Sequence, residues 1–307
     1  MGILITGTTG FIGNNLLHYW QANGVEVLEV NRQANTRSTY TFDNFDNTKF
    51  HAKVWCHLAG KAKDVQNDKL ADFYEQANVV LTEKIFSAFL DDSSANIFIF
   101  FSTVKAAAAA VNGILTETDE LPVDEPYGSS KRKAERFLLS KPLPTNKRLV
   151  ILRPVMVYGN NMDSNLYSLY SFVKRGIPYP FAAYSNSKSL LSINNLIFVV
   201  NHIVSNPYFK SGIYNVSDSE IVSTNQIIEI IGEVLGKKPK MLNIPKKIID
   251  VIGKIGSKLH LPVNSNKIGK LTSNYIVSNQ KLLNEMKCSL PFSSVNELKK
   301  TFQSFKN

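Results

Sequence analysis

The segment Gly2-Ile3-Leu4-Ile5-Thr6-Gly7-Thr8-Thr9-Gly10-Phe11-Ile12-Gly13 decides the fold of this chain. Its first five residues form a largely apolar run, which is typical of a parallel strand buried on both faces. Residues 11–24 then carry apolar side chains at helical spacing, which predicts a helix that ends at Gly24. A strand, a glycine-rich turn and a helix in direct succession indicate a dinucleotide-binding unit. The alternative is a purely structural turn.

The three glycines of this turn are expected to have different roles. Gly7 permits the tight turn, Gly10 lets a pyrophosphate approach the backbone, and Gly13 lets the helix pack closely against the strand. The free N–H groups at the helix N-terminus then face the phosphates. The residues predicted to bind the cofactor here are Gly7, Thr9, Gly10, Phe11, Ile12 and Gly13.

Strands alternate with helices through the first half of the chain. Helical spacing predicts helices at 70–90 and 127–139, and apolar runs predict strands at 25–30, 54–58, 97–101 and 149–152. This alternation predicts an α/β fold, a Rossmann doubly wound parallel sheet.

The pattern changes after residue 153, where loops become rich in Asn, Ser, Tyr and Pro. Helical spacing returns at 195–204 and 224–235. We therefore expect residues 1–155 to form the Rossmann domain. Residues 156–307 should form mainly a smaller C-terminal α/β substrate domain, with some segments returning to the Rossmann sheet.

The composition limits the classes of function that this chain can have. The 307 residues are 44% hydrophobic and 20% charged, which is ordinary for a soluble globular protein. The net charge of +10 has three possible interpretations: it keeps the protein soluble, it attracts a polyanionic small molecule, or it serves contact with nucleic acid or an anionic membrane. No nucleic-acid-binding signature supports the nucleic-acid reading, and we expect no metal site. Two cysteines, Cys56 and Cys288, make a disulfide framework implausible and favour a reduced cytoplasmic setting.

A second motif, Tyr127-Gly128-Ser129-Ser130-Lys131, carries the predicted chemistry. Residues four apart lie on one face of a helix. A free tyrosine has a pKa near 10, and a neighbouring ammonium and an oxidised nicotinamide favour its phenolate. Tyr127 can then exchange a proton with a hydroxyl or carbonyl of the substrate while a hydride moves to or from the cofactor. The spacing also arises by chance, but here it follows the glycine turn.

The two motifs resemble those of the extended short-chain dehydrogenase/reductase family of nucleotide-sugar epimerases, dehydratases and reductases. The resemblance implies that Thr103 hydrogen-bonds the reacting sugar oxygen, with Tyr127 and Lys131 as the other catalytic residues. A strand-end hydroxyl such as that of Thr103 can also simply cap backbone groups. Further cofactor contacts implied by the resemblance are Leu58, Ala59, Gly60, Asn78, Ser102, Tyr127, Lys131 and Pro154.

The end of the second strand selects the form of the cofactor. An acid there binds the ribose 2′-hydroxyl of NAD, but this chain has Val30-Asn31-Arg32. Asn31 can hydrogen-bond a ribose hydroxyl, and Arg32 can pair with a 2′-phosphate, unless it is only a solvated loop cation. We therefore expect NADP(H) rather than NAD(H). The resemblance also implies a contact between Asp43 and adenine.

The second half of the chain carries the expected substrate contacts. By the resemblance, Asn165 contacts a UDP diphosphate and Pro178 lines the uracil pocket. Lys188 stands where relatives have a phosphate-binding Arg, so it keeps the charge but loses the bidentate fork. Lys105 follows Thr103, where many relatives have a neutral residue, and is a further candidate substrate contact.

Several functions fit these residues. The loops look most like those of reductases that act at C4 of UDP-4-keto-6-deoxy-N-acetylhexosamines for surface polysaccharide, consuming NADPH. The alternative is a UDP-sugar 4-epimerase with tightly bound NAD. A dehydratase fits less well, because Val104-Lys105 stands where dehydratases carry an acid pair. A cofactor-binding regulator is a third reading. The basic apolar segment 236–261 can contact an anionic membrane surface, or its apolar face can simply pack against the core. Relatives commonly form homodimers.

Overall fold

The computed structural model describes residues 2–32, 39–42, 51–62, 70–160, 162, 165–258 and 265–306. The described strands are β1 Gly2–Thr6, β2 Val27–Asn31, β3 Thr39–Thr41, β4 Ala52–His57, β5 Ile97–Phe101, β6 Ile114–Leu115, β7 Arg148–Pro154, β8 Met156–Tyr158, β9 Lys188–Ser192, β10 Gly212–Val216, β11 Ile221–Val222 and β12 Ile276–Val277. The described helices are α1 Phe11–Ala22, α2 Leu70–Tyr74, α3 Leu81–Asp91, α4 Pro126–Ser140, α5 Asn165–Lys174, α6 Ile193–Ser205, α7 Thr224–Leu235, α8 Lys246–Lys258, α9 Ser265–Thr272, α10 Gln280–Met286 and α11 Ser294–Ser304.

Seven parallel strands form the main sheet, in the order β10-β7-β5-β4-β1-β2-β3. The chain runs from β1 outward through β2 to β3 and then crosses over β1 to reach β4. The connections that follow β1 and β4 therefore run to opposite edges of the sheet. A crevice opens between the carboxyl ends of these two strands. In open parallel sheets this reversal point is where ligands bind. The predicted fold class is confirmed.

Helices cover both faces of the sheet because side chains alternate along each strand. On β5, Ile97 and Ile99 join the core beneath α1 and α6, whereas Phe98 and Phe100 join the core beneath α3 and α4. All five residues of this strand are buried. Burial on both faces explains why the strands have apolar runs without alternation.

A smaller group of elements follows β7. A three-stranded sheet, in the order β11-β9-β8, packs with α5, α7 and α11. Its core includes Tyr170, Ile228 and Phe302, which are almost fully buried. Within the same half of the chain, β10 pairs with β7 at the edge of the main sheet. The boundary between residues 155 and 156 stays a prediction.

Several elements differ from the sequence prediction. The helix predicted at 70–90 is interrupted by a π-helical stretch, Glu75–Val80, between α2 and α3. This stretch contains the buried Asn78, and π-helical turns occur often at functional sites. The short strand β3 was not predicted, because three residues are too few to show a periodic pattern.

Candidate active site

The glycine turn lies at the carboxyl end of β1. Gly7 has a positive φ of 78°, and a Cβ there would lie 2.7 Å from the backbone nitrogen of Ala59. A Cβ on Gly13 would lie 2.3 Å from the carbonyl oxygen of Gly7. The N-cap of α1 is Gly10, which offers no side-chain cap. The first N–H groups of α1, those of Phe11 and Ile12 among them, therefore face away from the helix and toward the crevice.

A buried hydrogen-bond chain fixes the neighbouring segment 58–60. The Thr6 hydroxyl accepts hydrogen bonds from the N–H groups of Leu58 and Ala59, at 3.1 and 3.0 Å, and contacts Nδ1 of His57 at 2.8 Å. Nε2 of His57 lies 3.0 Å from the Thr82 hydroxyl. Burial, with a smaller effect of the Lys131 charge, lowers the pKa of His57 to about 3. His57 is therefore neutral and holds the segment in place.

A second network joins the turn to β2. The Asn31 amide accepts from the N–H of Gly7 at 3.2 Å and donates to the Thr8 hydroxyl at 2.7 Å. Thr8 in turn donates to the Glu29 carboxylate at 2.6 Å. Asn31 is buried, whereas Arg32 is exposed. Asp43, the predicted adenine contact, lies outside the described residues.

Lys131 lies on α4, one turn after Tyr127, and its ammonium is buried beneath the crevice. Its Nζ donates to the carbonyl oxygen of Phe101 at 2.9 Å and lies 4.6 Å from the centre of the Phe100 ring. A Cβ built on Gly60 would be 3.4 Å from this Nζ. Burial lowers the pKa of Lys131 to about 8, so the ammonium persists at neutral pH.

Asn78 connects the same region to α4. Its side chain accepts from the N–H of Lys61 at 2.7 Å and donates to the Ser130 hydroxyl at 2.8 Å. Gly60 lies in close contact with Asn78, since a Cβ on Gly60 would be 2.6 Å from the Asn78 Oδ1. The structure therefore brings the predicted residues Gly60, Asn78 and Lys131 together.

Thr103 and Ser102 follow β5 and have different surroundings. Thr103 is the N-cap of a short 3₁₀ turn and accepts from the N–H of Lys105 at 3.3 Å. The Ser102 hydroxyl donates to the buried carboxylate of Glu135, which also forms a two-pronged ion pair with Arg153. Ser102 thus links β5 to α4 and β7, while the long cap contact of Thr103 leaves its hydroxyl able to bind another partner.

The predicted substrate contacts lie on separate elements. Lys105 pairs with Glu125 at 2.8 Å, and its Nζ is 6.0 Å from the centre of the Tyr127 ring. Asn165 is exposed at the start of α5, and Pro178 is exposed in the loop that follows. Lys188, the first residue of β9, is half-buried, and desolvation lowers its pKa. Pro154 is buried at the end of β7.

The sequence profile of the NAD dependent epimerase/dehydratase family matches residues 3–191, well over half of the chain. The chain belongs to this family. A UDP-glucose 4-epimerase of Vibrio cholerae is 31% identical over 278 residues, which are 83% of this chain and 82% of that protein.

Two further proteins resemble this member of the epimerase/dehydratase family. An N-acetyl-alpha-D-glucosaminyl-diphospho-ditrans,octacis-undecaprenol 4-epimerase of Escherichia coli O157:H7 is 26% identical over 302 residues, covering 87% of this chain and 84% of that protein. The UDP-glucuronic acid 4-epimerase of Bacillus cereus, solved in complex with NAD, has a TM-score of 0.76 and 18% identity, covering 100% of this chain and 99% of that chain. The last likeness shows the fold.

The residues present fit the dinucleotide of the family's name. Gly7 and Gly13 let the turn fold tightly, since a Cβ on either would lie within 3 Å of backbone atoms, whereas a Cβ on Gly10 would meet only the carbonyl oxygen of Gly7, at 3.4 Å. The uncapped start of α1 offers N–H donors for a pyrophosphate. In the part of the chain that the structure describes, no group of three or more His, Cys, Asp or Glu side chains is placed to hold a metal ion.

Among the residues of the site that were missed at the sequence level are Glu29, Glu125 and Gly128. Glu29 lies inside β2, two residues before the position where an acid is expected, and faces the same side as Asn31. Glu125 precedes α4 and holds Lys105. Of these three, Gly128 could have been found from the sequence. It lies inside the Tyr127-to-Lys131 motif, and a glycine within a predicted helix usually marks a place where another segment packs closely against the helix.

Gly128 sets the distance between α4 and the turn that carries Thr103. A Cβ there would lie 2.6 Å from the carbonyl oxygen of Lys105 and 2.7 Å from Cγ1 of Val123. We expect Gly128→Ala to push α4 away and to lower kcat at least tenfold, because small displacements of catalytic groups are costly. It should also lower the free energy of unfolding by about 1–3 kcal/mol through overpacking.

The control for Gly128→Ala is the same change in α9. A Cβ on Gly269 meets nothing within 4 Å, so Gly269→Ala should raise stability by about 0.5–1 kcal/mol through helix propensity and leave kcat unchanged. Urea unfolding and steady-state kinetics on both variants measure the contrast. Equal effects of the two substitutions would show that Gly128 has no special packing role.

Proposed function

We propose that the chain is a NAD-dependent 4-epimerase of a sugar carried on a diphosphate, with a UDP-hexose or UDP-N-acetylhexosamine as substrate. Two observations support the proposal. The first is the 31% identity to a UDP-glucose 4-epimerase across most of both chains. The second, which carries the proposal structurally, is the Glu29 carboxylate beside Asn31 at the end of β2, where we propose that the cofactor's ribose binds.

The carboxylate of Glu29 bears on the choice of cofactor. Its Oε2 lies 2.6 Å from the Thr8 hydroxyl and 3.4 Å from the Asn31 amide nitrogen. A 2′-phosphate placed there would meet this negative charge, whereas a ribose hydroxyl can join the network as a donor. The exposed Arg32 favours a 2′-phosphate, but a solvated cation contributes less than a partly buried anion. We therefore propose NAD.

The side chains of the site divide the acid–base work. Bound NAD supplies the group that accepts the hydride from C4 of the sugar and returns it. The phenolic oxygen of Tyr127 takes the proton from the C4 hydroxyl and later gives it back. The Lys131 ammonium, buried one helical turn away, favours the phenolate of Tyr127 and holds the cofactor's ribose. Thr103 donates a hydrogen bond to the sugar oxygen as its charge changes.

The substrate side of the proposal concerns the diphosphate. A 4-epimerase must present both faces of C4 to the same hydride donor, so the sugar turns while the rest of the substrate stays bound. Lys188, whose charge is half-buried, and Asn165 are proposed to bind the diphosphate. Pro178 is proposed to line the base pocket, and Lys105 to contact the sugar end.

The second candidate is the NADPH-consuming C4 reductase of a UDP-4-keto-6-deoxy-N-acetylhexosamine, for polysaccharide biosynthesis. Arg32 at the end of β2 supports it, because a cation there can pair with a 2′-phosphate. The same Tyr127, Lys131 and Thr103 would serve both reactions. The two candidates differ in whether the reduced cofactor is consumed.

This difference gives the test. Purified protein is incubated with UDP-glucose or UDP-N-acetylglucosamine without added cofactor, and the products are separated chromatographically. We expect the C4 epimer to form while the absorbance at 340 nm stays constant. Stoichiometric loss of NADPH absorbance with a UDP-4-keto sugar, and no epimer from either UDP-sugar, would contradict the epimerase and establish the reductase.

Cofactor preference is a separate prediction on Glu29. We expect NAD to bind the wild-type protein at least tenfold more tightly than NADP, and Glu29→Gln to reduce this preference about tenfold, since a nearby charge is worth 1–3 kcal/mol when partly buried. Arg32→Ala is the control, and it should weaken NAD binding less than threefold. Protein fluorescence titrations with both cofactors measure the ratios. Tighter binding of NADP to the wild type would show that Arg32 outweighs Glu29.

A cytoplasmic setting is also part of the proposal. Cys56 is buried in β4 and Cys288 is partly buried, and both are free thiols. Burial raises the pKa of the Cys56 thiol, which keeps it unreactive. A protein with free thiols suits a reducing compartment.

A further inference from the structure

Helix α8, Lys246–Lys258, carries an exposed apolar stripe that the sugar chemistry does not use. Its members are half exposed although they are large and apolar: Ile248 at 50%, Val251 at 55%, Ile252 at 46% and Ile255 at 51%. Their spacing of three and four residues places them within a sector of about 100° along a helix about 20 Å long. Contiguous apolar patches on soluble proteins usually mark a contact surface.

A row of lysines flanks the stripe on one side. Lys247, Lys254 and Lys258 are exposed and lie within about 40° of one another around the helix axis, next to Val251. The single acid of the helix, Asp250, falls on the opposite side and accepts a hydrogen bond from the Tyr184 hydroxyl at 3.3 Å. The exposed edge of the stripe therefore carries positive charge only.

The other side of α8 is packed, which fixes the direction of the stripe. Ile249 is buried, and Gly253 faces Ile268 of α9, so that a Cβ on Gly253 would lie 2.9 Å from the Ile268 side chain. The Lys246 ammonium lies 5.3 Å from the centre of the Tyr184 ring. These contacts hold the helix against the protein and keep the four apolar side chains outward.

We propose that α8 docks on the surface of a membrane that contains anionic lipids. Helices that bind in the plane of a bilayer insert an apolar stripe among the acyl chains and place lysines at the level of the headgroups. The row on α8 has this arrangement. A second copy of the chain is a poorer occupant, because its α8 would offer no acid at the exposed edge of the stripe to pair with the lysine row. No described helix is long and apolar enough to cross a bilayer, so the contact would be peripheral.

The proposal goes beyond the sugar chemistry and does not depend on it. It would place the active site at the membrane surface, where glycosyl acceptors carried on lipids are found. Vesicle binding requires no turnover, so a failure of the epimerase proposal leaves this one standing, and the reverse also holds.

The test is co-sedimentation of the full chain with vesicles of phosphatidylcholine containing about a third phosphatidylglycerol. We expect binding to these vesicles to be at least tenfold stronger than to pure phosphatidylcholine, and to weaken as salt is raised. Lys254→Glu should weaken binding at least fivefold, because each lysine near an anionic surface strengthens partitioning about fivefold.

Ile252→Asp tests the apolar stripe directly and should weaken vesicle binding at least tenfold. The matched control is Ile221→Asp in β11, where an isoleucine is 49% exposed away from α8, and it should bind like the wild type. Thermal unfolding and sugar turnover of all three variants should match the wild type, because the altered side chains are half exposed and outside the active site.

Three results would overturn the proposal. In the first, the wild type fails to sediment with anionic vesicles. In the second, Ile221→Asp weakens vesicle binding as much as Ile252→Asp does. In the third, size-exclusion chromatography shows a dimer that Ile252→Asp dissociates, which would assign the stripe to a second copy of the chain.

Discussion

The Tyr127→Phe variant is expected to lose about 10³-fold in kcat while the protein stays folded. The substitution removes one oxygen, which is the only group on this side chain able to accept the proton of the sugar hydroxyl, and positioned acid–base groups contribute 10²–10⁴-fold. Tyr127 is only partly buried, so its hydroxyl contributes little to stability. The loss should appear in kcat rather than KM, because the proton moves only during the chemical step.

The control for Tyr127→Phe is the same change at a neighbouring tyrosine. The rings of Tyr74 and Tyr127 are 6.3 Å apart, so Tyr74→Phe removes a neighbouring hydroxyl, that of a buried ring. We expect it to retain kcat within about threefold. NAD binding by fluorescence should stay within threefold of the wild type in both variants. If Tyr127→Phe kept a tenth of the activity or more, another group would be the acid–base catalyst.

Lys131→Met is expected to abolish activity and to stabilise the protein. The ammonium is buried with one carbonyl partner, that of Phe101, and burial holds its pKa near 8 instead of 10.5. A charge kept at neutral pH in such a site opposes folding, since each unit of pKa shift is worth 1.36 kcal/mol. After allowing for the lost hydrogen bond, we expect the free energy of unfolding to rise by about 1–2 kcal/mol. We expect kcat to fall at least 10²-fold.

The pH dependence of this gain follows from the sign of the shift. The folded-state pKa of Lys131 lies below the unfolded value, so the unfolded chain binds more protons between about pH 8 and pH 10.5. The wild type therefore becomes more stable relative to Lys131→Met as the pH rises through this window. The advantage of the variant should be fully present below about pH 8 and should be lost before pH 10.5, because the whole shift is worth about 3.4 kcal/mol, more than the expected gain. Urea unfolding at pH 7, 9 and 10.5 measures it.

Lys147→Met is the matched control, because Lys147 is equally buried at the opposite end of the sheet. Its Nζ donates to three carbonyl oxygens, those of Phe89, Asp92 and Ala95, at 2.6, 2.6 and 3.2 Å. Removing it leaves these carbonyls unpaired, so we expect a loss of about 2–3 kcal/mol and normal kcat. If Lys131→Met were destabilised to the same degree, Lys131 would be a structural lysine.

The local elements of the fold could be predicted because their signals lie in short segments. The strand predicted at 97–101 and the helix predicted at 224–235 coincide with β5 and α7. The glycine turn could be predicted as well, since Gly7 and Gly13 are required by contacts within one strand–turn–helix unit. Such features depend on neighbours in sequence, and the amino-acid pattern records them directly.

Features that depend on distant partners could not be predicted. The contact between Glu29 and Thr8 joins β2 to the glycine turn through side chains 21 residues apart, and periodicity does not report which side chains meet. For the same reason the hydrogen bond between Ser102 and Glu135, 33 residues apart, could not be predicted. The resemblance drawn from loops favoured a reductase, whereas the identity to a 4-epimerase extends over 278 residues. Loops tolerate change, so they distinguish subfamilies poorly.

The most direct test of the central claim uses UDP-glucose, or UDP-N-acetylglucosamine, with deuterium at C4 and no added cofactor. If one bound NAD takes and returns the hydride, the product of inverted configuration at C4 should retain the deuterium on that carbon. Tyr127→Phe should form no such product. An inverted product that has exchanged its deuterium for solvent hydrogen, or no inverted product from either substrate, would contradict the account.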